Sequence, residues 1–134
     1  MKRLKILTII AIAALLAGCV AQMPRAPANI LEQIEASEVS AQQLSASIVN
    51  LTCTRFEAGR CVEPGKVFTP DQGIRYHDRA QEARGALRTA KTLGTGQVGD
   101  CLGAKRDQAA CLAAARGLIA ELERVVLQAE GAKP

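Results

Sequence analysis

Apolar residues recur every three to four positions along three stretches of the chain, the spacing that places side chains on one face of an α-helix. The first stretch follows Asn29, a favourable N-cap residue, with Glu32 three positions later as in a capping box. It predicts a helix over residues 29–53. Its apolar stripe, which continues through Ser37, consists of Ile30, Ile34, Ala41, Leu44, Ile48 and Leu51.

The second helix has the clearest start signal in the chain. Thr69 is an N-cap hydroxyl, Pro70 suits the first helical position, and Gln72 is placed to complete a capping box. The pattern predicts a helix over residues 70–93 that ends at Gly94. Its stripe is rich in small side chains: Tyr76, Ala80, Ala83, Leu87 and Ala90.

The third helix is predicted over residues 104–130 and has the widest apolar stripe. Leu118 and Val125 flank a row formed by Leu112, Ala115, Ile119, Leu122, Val126 and Ala129. A stripe this wide faces two partners, which predicts an antiparallel three-helix bundle. The alternative is a long helical hairpin that completes its core on another protein, since the alanine-rich second stripe buries little area.

Composition favours an all-α fold. The chain has no Trp, one Tyr and two Phe, whereas sheets are usually rich in aromatic and β-branched residues. We therefore expect one all-α domain over residues 29–134, with two loops closed by disulfides.

The N-terminal segment has the pattern of an export signal. Lys2, Arg3 and Lys5 precede the apolar run from Ile6 to Leu16. A membrane-spanning helix needs about 20 apolar residues, and this run is roughly half as long.

The run ends in Leu16-Ala17-Gly18-Cys19, which resembles the lipobox of bacterial lipoprotein precursors. The resemblance implies cleavage between Gly18 and Cys19 and acylation of Cys19, so that residues 1–18 are removed. The acylated cysteine would bind the lipid bilayer, and residues 19–28, with Pro24 and Pro27, would form a tether. The residue after the cysteine is Val20 rather than Asp, which in the enterobacterial version of this family implies an outer-membrane lipoprotein, here expected to face the periplasm. The alternative is an ordinary secretory signal in which Cys19 is incidental.

The positive charge of the chain belongs largely to this signal. The full sequence has a formal net charge of +4, from 17 basic and 13 acidic residues. Three of the basic residues precede the apolar run, so 14 basic and 13 acidic residues remain after it. This balance gives no reason to expect a nucleic-acid partner.

Four cysteines follow Cys19, and an even number in an exported domain predicts two disulfides. Three connectivities are possible. We favour Cys53 with Cys61, which closes a short ring, and Cys101 with Cys111. The second pair requires the third helix to begin after Cys101, because ten helical residues would separate the Cα atoms by about 15 Å.

Three motifs suggest a dinucleotide site, a zinc site or a catalytic histidine, but the surrounding sequence does not support any of these interpretations. Residues 94–99 match GxGxxG, but a helical stretch rather than a strand precedes them, so a turn is expected instead of a dinucleotide site. The cysteines are spaced too widely for a zinc site. His77 beside Asp78 has no nucleophile placed by spacing. We expect no catalytic residue, no metal and no small-molecule cofactor.

All three aromatic residues, Phe56, Phe68 and Tyr76, lie near the first cysteine loop, together with Val62, Val67 and Ile74. They are either a small core that caps the helices or a patch that binds a protein partner.

The favoured function is a non-enzymatic adaptor or assembly factor for an envelope complex. Short disulfide-closed helical lipoproteins resemble secretin pilotins in size and class, although no pilotin-specific motif is present. Two alternatives are an exclusion lipoprotein encoded by a phage or plasmid and a small envelope enzyme.

Overall fold

Three helices and four short strands form the part of the chain that the computed structural model describes, residues 29–65 and 67–132. The helices are α1 (Ile30–Thr52), α2 (Pro70–Thr92) and α3 (Gln108–Gly131). The strands are β1 (Cys53–Glu57), β2 (Arg60–Pro64), β3 (Val98–Cys101) and β4 (Ala104–Asp107). The signal segment and the tether, with Gly18 and Cys19, lie outside the described residues.

The expectation of an all-α fold is wrong. Each connection between helices folds into a two-stranded antiparallel sheet, β1 with β2 and β3 with β4, so the protein is mixed α/β. The hairpin turns are Ala58-Gly59 and Leu102-Gly103, and all four residues have positive φ. Two-residue turns of this kind match the right-handed twist of the strands. The predicted start of the third helix at residue 104 is wrong for the same reason, since residues 104–107 form β4.

Polar side chains cap the start of each helix. Asn29 Oδ1 accepts a hydrogen bond from the Glu32 N–H at 2.9 Å. The capping box of α2 is complete, with both Thr69 and Gln72 bonded to the other's backbone. Asp107 Oδ1 accepts from the Ala110 N–H at 2.8 Å, which fixes the start of α3. Helix α2 ends at Thr92 with an extended C-cap, rather than at Gly94.

Helix α2 runs antiparallel to both of its neighbours. Its first turn meets the end of α1, where Gly73 packs on the Thr52 side chain, and its last turn meets the first residue of α3, Gln108. The three apolar stripes bury one core between them, and the largest fully buried side chains are Ile34, Ile48, Leu87, Cys101 and Cys111. Small residues along α2 let the other helices approach closely. Within the described ranges, no helix has the length and apolar character needed to cross a membrane.

Candidate functional site

The aromatic cluster expected from the sequence divides into a buried pair and an exposed residue. Phe68 is only 7% exposed, and its ring lies 5.0 Å, centroid to centroid, from that of half-buried Tyr76. Both contact the main core. Phe56, on β1, is 48% exposed. The structure therefore places Phe68 and Tyr76 in the fold and leaves Phe56 on the surface.

Phe56 lines a hollow that we call the apolar groove, between the end of α1, strand β1 and the first turns of α2. Its volume is about 400 Å³. The residues that line it are largely apolar: Ile48, Val49, Thr52, Phe56, Pro70, Gly73, Ile74, His77 and Asp78. Ile74, at the edge, is 60% exposed, so a large apolar side chain faces solvent on each side of the groove.

Close contact between α1 and α2 shapes the groove. Gly73 lies against the Thr52 side chain so tightly that a Cβ at this position would collide with it. The two helices thus meet at the floor, while the Phe56 and Ile74 side chains remain at the rim. Two other hollows, between α1 and α3, are lined mainly by Ser, Ala, Gln and Glu side chains together with Ile119, Leu44, Val126 and Leu127. Its exposed aromatic side chain and its mainly apolar lining make the apolar groove the better protein-binding surface.

A disulfide holds the strand that carries Phe56. Cys53 and Cys61 are bonded, with Cα atoms 5.8 Å apart, and Phe56 is the residue paired with Cys61 across the hairpin. Cys101 and Cys111 form the second bridge, between β3 and the first turn of α3. These are the two pairs that the spacing favours. Only the first bridge borders the groove.

His77 contributes an imidazole to the groove wall. Its Nε2 lies 3.4 Å from the Gln81 amide nitrogen, one turn later on α2. The neighbouring Asp78 lines the same hollow. No group of three or more side chains suited to hold a metal ion occurs in the described ranges. A non-catalytic role for His77 stays a prediction.

The GxGxxG stretch lies at the opposite end of the molecule, between α2 and β3. The Gln97 N–H donates to the Gly94 carbonyl at 3.1 Å, and Gln97 Oε1 accepts from the Gly94 N–H at 2.8 Å. The stretch is thus a turn followed by the first two residues of β3, with a helix before it and a strand after it. A dinucleotide site needs the reverse order, a strand before the turn and a helix after it.

Charged side chains continue along α2 from the groove. His77 begins a row at helical spacing that passes through Gln81, Arg84 and Arg88 to Lys91. At the far end, Lys91 Nζ lies 3.4 Å from Glu38 and 3.8 Å from Glu35, both on α1. The row therefore follows the surface where α1 and α2 meet.

Sequence reasoning identified Phe56 and Ile74 but missed Val49, Thr52 and His77. A weak signal exists for Val49, which lies directly beside the apolar stripe of α1 and widens it at its end. Nothing local identifies Thr52, because its position in the groove depends on contact with Gly73 of another helix.

Comparison with protein-family models, curated proteins and solved structures finds no match for this chain.

Proposed function

We propose that this protein is a lipoprotein, anchored in the outer membrane and facing the periplasm, that acts as a non-enzymatic adaptor or assembly factor for an envelope complex. In this proposal Cys19 carries the lipid, and the apolar groove binds a segment of the partner protein. The observation that carries the proposal is the exposed pair Phe56 and Ile74 at the rim of a groove of about 400 Å³.

The position of the groove supports binding to a protein rather than to the bilayer. The chain enters the fold at Asn29, and the groove lies at the other end of α1, about 20 residues later. At 1.5 Å per residue this is roughly 30 Å. The groove thus lies at the end of α1 that is furthest from the point where the tether joins the fold, and it is open to other envelope proteins.

The two disulfides support an exported protein. Bridges of this kind persist in oxidising compartments such as the bacterial periplasm and are rare in the cytosol. Together they fix both connections between the helices in a small domain. The residues that precede Cys19 have the matching pattern of an export signal.

Anchoring is tested by palmitate labelling and membrane fractionation of the wild-type protein and the Cys19→Ser variant. We expect label in the wild-type protein alone and loss of the variant from the outer membrane. Identical fractionation of both proteins, with label in neither, would falsify the lipoprotein proposal.

The adaptor role is tested by photo-crosslinking in intact cells. A photoreactive residue replaces Phe56 or Ile74 at the groove, and Leu127, exposed on α3, is the control position. We expect one dominant envelope protein to crosslink at the two groove positions and not at Leu127. Equal crosslinking at all three positions would contradict a specific role for the groove.

A further inference from the structure

Two arginines between the groove and the Lys91 ion pairs have no acidic partner among residues 29–65 and 67–132. Arg84 and Arg88 lie 7 and 11 residues after His77, so all three share one side of α2. Lys91, three residues further along, contacts Glu35 and Glu38. Among the residues that the structure describes, no salt bridge or side-chain hydrogen bond involves Arg84 or Arg88. Two cations are therefore available to a ligand that starts in the groove and continues along α2.

We propose that the occupant of the groove is a helix of another protein, whose apolar residues fill the groove and whose acidic residues, further along the same face, pair with Arg84 and Arg88. This inference rests on the proposed adaptor function and specifies its partner. The apolar and basic parts together form one surface, which we call the α1–α2 docking surface.

The spacing of this surface fits a helix. A third helix can lie along the groove between two antiparallel helices, and it rises by the same 1.5 Å per residue. Acidic residues 7 and 11 positions from the apolar residue opposite His77 would then lie opposite Arg84 and Arg88. Over that length the partner helix presents one face that is apolar at one end and acidic at the other.

The tether of this chain is not a suitable occupant. Residues 19–28 span at most about 35 Å when fully extended, and the groove lies roughly 30 Å from Asn29. Reaching the groove would use nearly the full length of the tether, which leaves only the residues next to Cys19 to fill it. A lipid surface is also disfavoured, because the most apolar part of the docking surface is the part furthest from the point where the tether begins.

Titration with synthetic helical peptides tests the inference on the purified, disulfide-intact protein. One peptide carries Leu anchors with Glu at positions 7 and 11 from them, a second carries Lys at those two positions, and a third has Ala anchors. At 0.15 M salt we expect the Glu peptide to bind about fivefold to tenfold more tightly than the Lys peptide, from two exposed charge pairs. The Ala peptide should bind at least about tenfold more weakly than the Glu peptide.

Charge reversal separates pairing from a loss of folding. Arg84→Glu with Arg88→Glu should invert the preference, so that the Lys peptide binds more tightly. Lys105→Glu with Arg124→Glu changes the net charge equally, but these exposed residues lie on β4 and α3, outside the docking surface. This control should keep the original preference, because charges beyond a Debye length of about 8 Å are largely screened.

Equal binding of the Glu and Lys peptides, or a preference that does not invert in the reversed variant, would overturn the inference. So would phosphatidylglycerol vesicles that bind through Arg84 and Arg88 while no peptide binds. Groove crosslinking to an envelope protein without any charge preference leaves the proposed function standing and removes this inference. If the peptides bind with the expected charge preference but the protein takes up no palmitate in cells, the docking inference stands and the lipoprotein proposal falls.

Discussion

The ring of Phe68 packs on the ring of Tyr76 at an interplanar angle of 52°, and this contact joins the segment before α2 to the second turn of that helix. Tilted aromatic pairs at this separation stabilise a fold beyond the apolar area that they bury. Phe56, close by in sequence, has no such role because half of its surface faces solvent.

We therefore expect Phe68→Ala and Phe56→Ala to differ in stability. Truncation of buried Phe68 should lower the free energy of unfolding by about 3 kcal/mol or more, whereas Phe56→Ala should lower it by less than about 1 kcal/mol. Guanidinium unfolding of the disulfide-intact proteins measures both values. A large loss for Phe56→Ala would mean that Phe56 is a structural residue and would weaken its assignment to the binding surface.

Two glycines of α2 should respond to alanine in opposite directions. A Cβ at Gly73 collides with Thr52, so Gly73→Ala should cost about 1 to 3 kcal/mol. Gly85 has open space around its Cβ position, and Gly85→Ala should add about 0.5 to 1 kcal/mol through helix propensity. Urea unfolding gives both changes. Effects of the same sign would contradict the close contact between α1 and α2.

A second substitution checks the cause of the loss. The atoms nearest to the new methyl group are Oγ1, Cγ2 and Cβ of Thr52, and Thr52→Ala removes the first two. Thr52→Ala combined with Gly73→Ala should therefore recover part of the stability that Gly73→Ala loses. Strictly additive losses in the double variant would show that Oγ1 and Cγ2 of Thr52 do not cause the loss.

Gln108 at the start of α3 completes the end of α2. Its Nε2 donates hydrogen bonds to the carbonyls of Ala90 and Leu93, both at 2.9 Å. The last carbonyls of a helix have no partner within the helix, so loss of the amide leaves them unsatisfied. We expect Gln108→Ala to lower the free energy of unfolding by about 1 to 2 kcal/mol.

Gln108→Glu should also be destabilising, since a carboxylate cannot donate to a carbonyl and repels the negative end of α2, and its attraction to the N-terminal end of α3 offsets only part of this loss. Gln128→Ala, at an exposed position of α3, is the matched control and should change stability by less than about 0.5 kcal/mol. Thermal unfolding compares the three variants. Unchanged stability in Gln108→Glu would contradict the two hydrogen bonds from the Gln108 amide.

The two disulfides should differ in their rate of reduction under native conditions. Cys61 is exposed, whereas Cys101 and Cys111 are 1% and 0% exposed. A thiolate must reach a sulfur atom to attack it, so dithiothreitol should open Cys53–Cys61 first. Timed alkylation followed by peptide mass spectrometry detects the order. Reduction of Cys101–Cys111 first would mean that the end of the molecule around β3 opens more readily than the groove end.

Helical periodicity predicted most of the fold because the core is built from regular stripes. Every buried position of α3 except Cys111 belongs to the predicted stripe, and α1 begins and ends within one residue of the expected bounds. The hairpins were missed because their turns, Ala58-Gly59 and Leu102-Gly103, lack the Asn or Asp that usually marks such turns. Their strands are only four or five residues long and largely exposed, so they have little apolar alternation to detect.

The candidate site was predicted only in part, because its residues come together through packing. Phe56, Phe68 and Tyr76 are close together along the chain, but in the structure Phe68 packs on Tyr76 whereas Phe56 is exposed. The contact of Gly73 with Thr52 also forms between distant positions and has no local signal. Helical spacing does place Arg84, Arg88 and Lys91 on one side of α2, although only the packed structure shows that Lys91 lies beside Glu35 and Glu38.

Each disulfide closes its ring within one hairpin or its adjoining helical turn, with partners 8 and 10 residues apart in sequence. Any exchange of partners would link cysteines roughly 40 to 60 residues apart. The entropic free-energy cost of closing such a ring exceeds that of a native ring by about 1.5 kcal/mol. Chain statistics alone thus bias a reduced, unfolded chain towards the native bridges before its helices assemble. The correct pairing is encoded locally, which lessens the need for an isomerase to reshuffle mispaired cysteines.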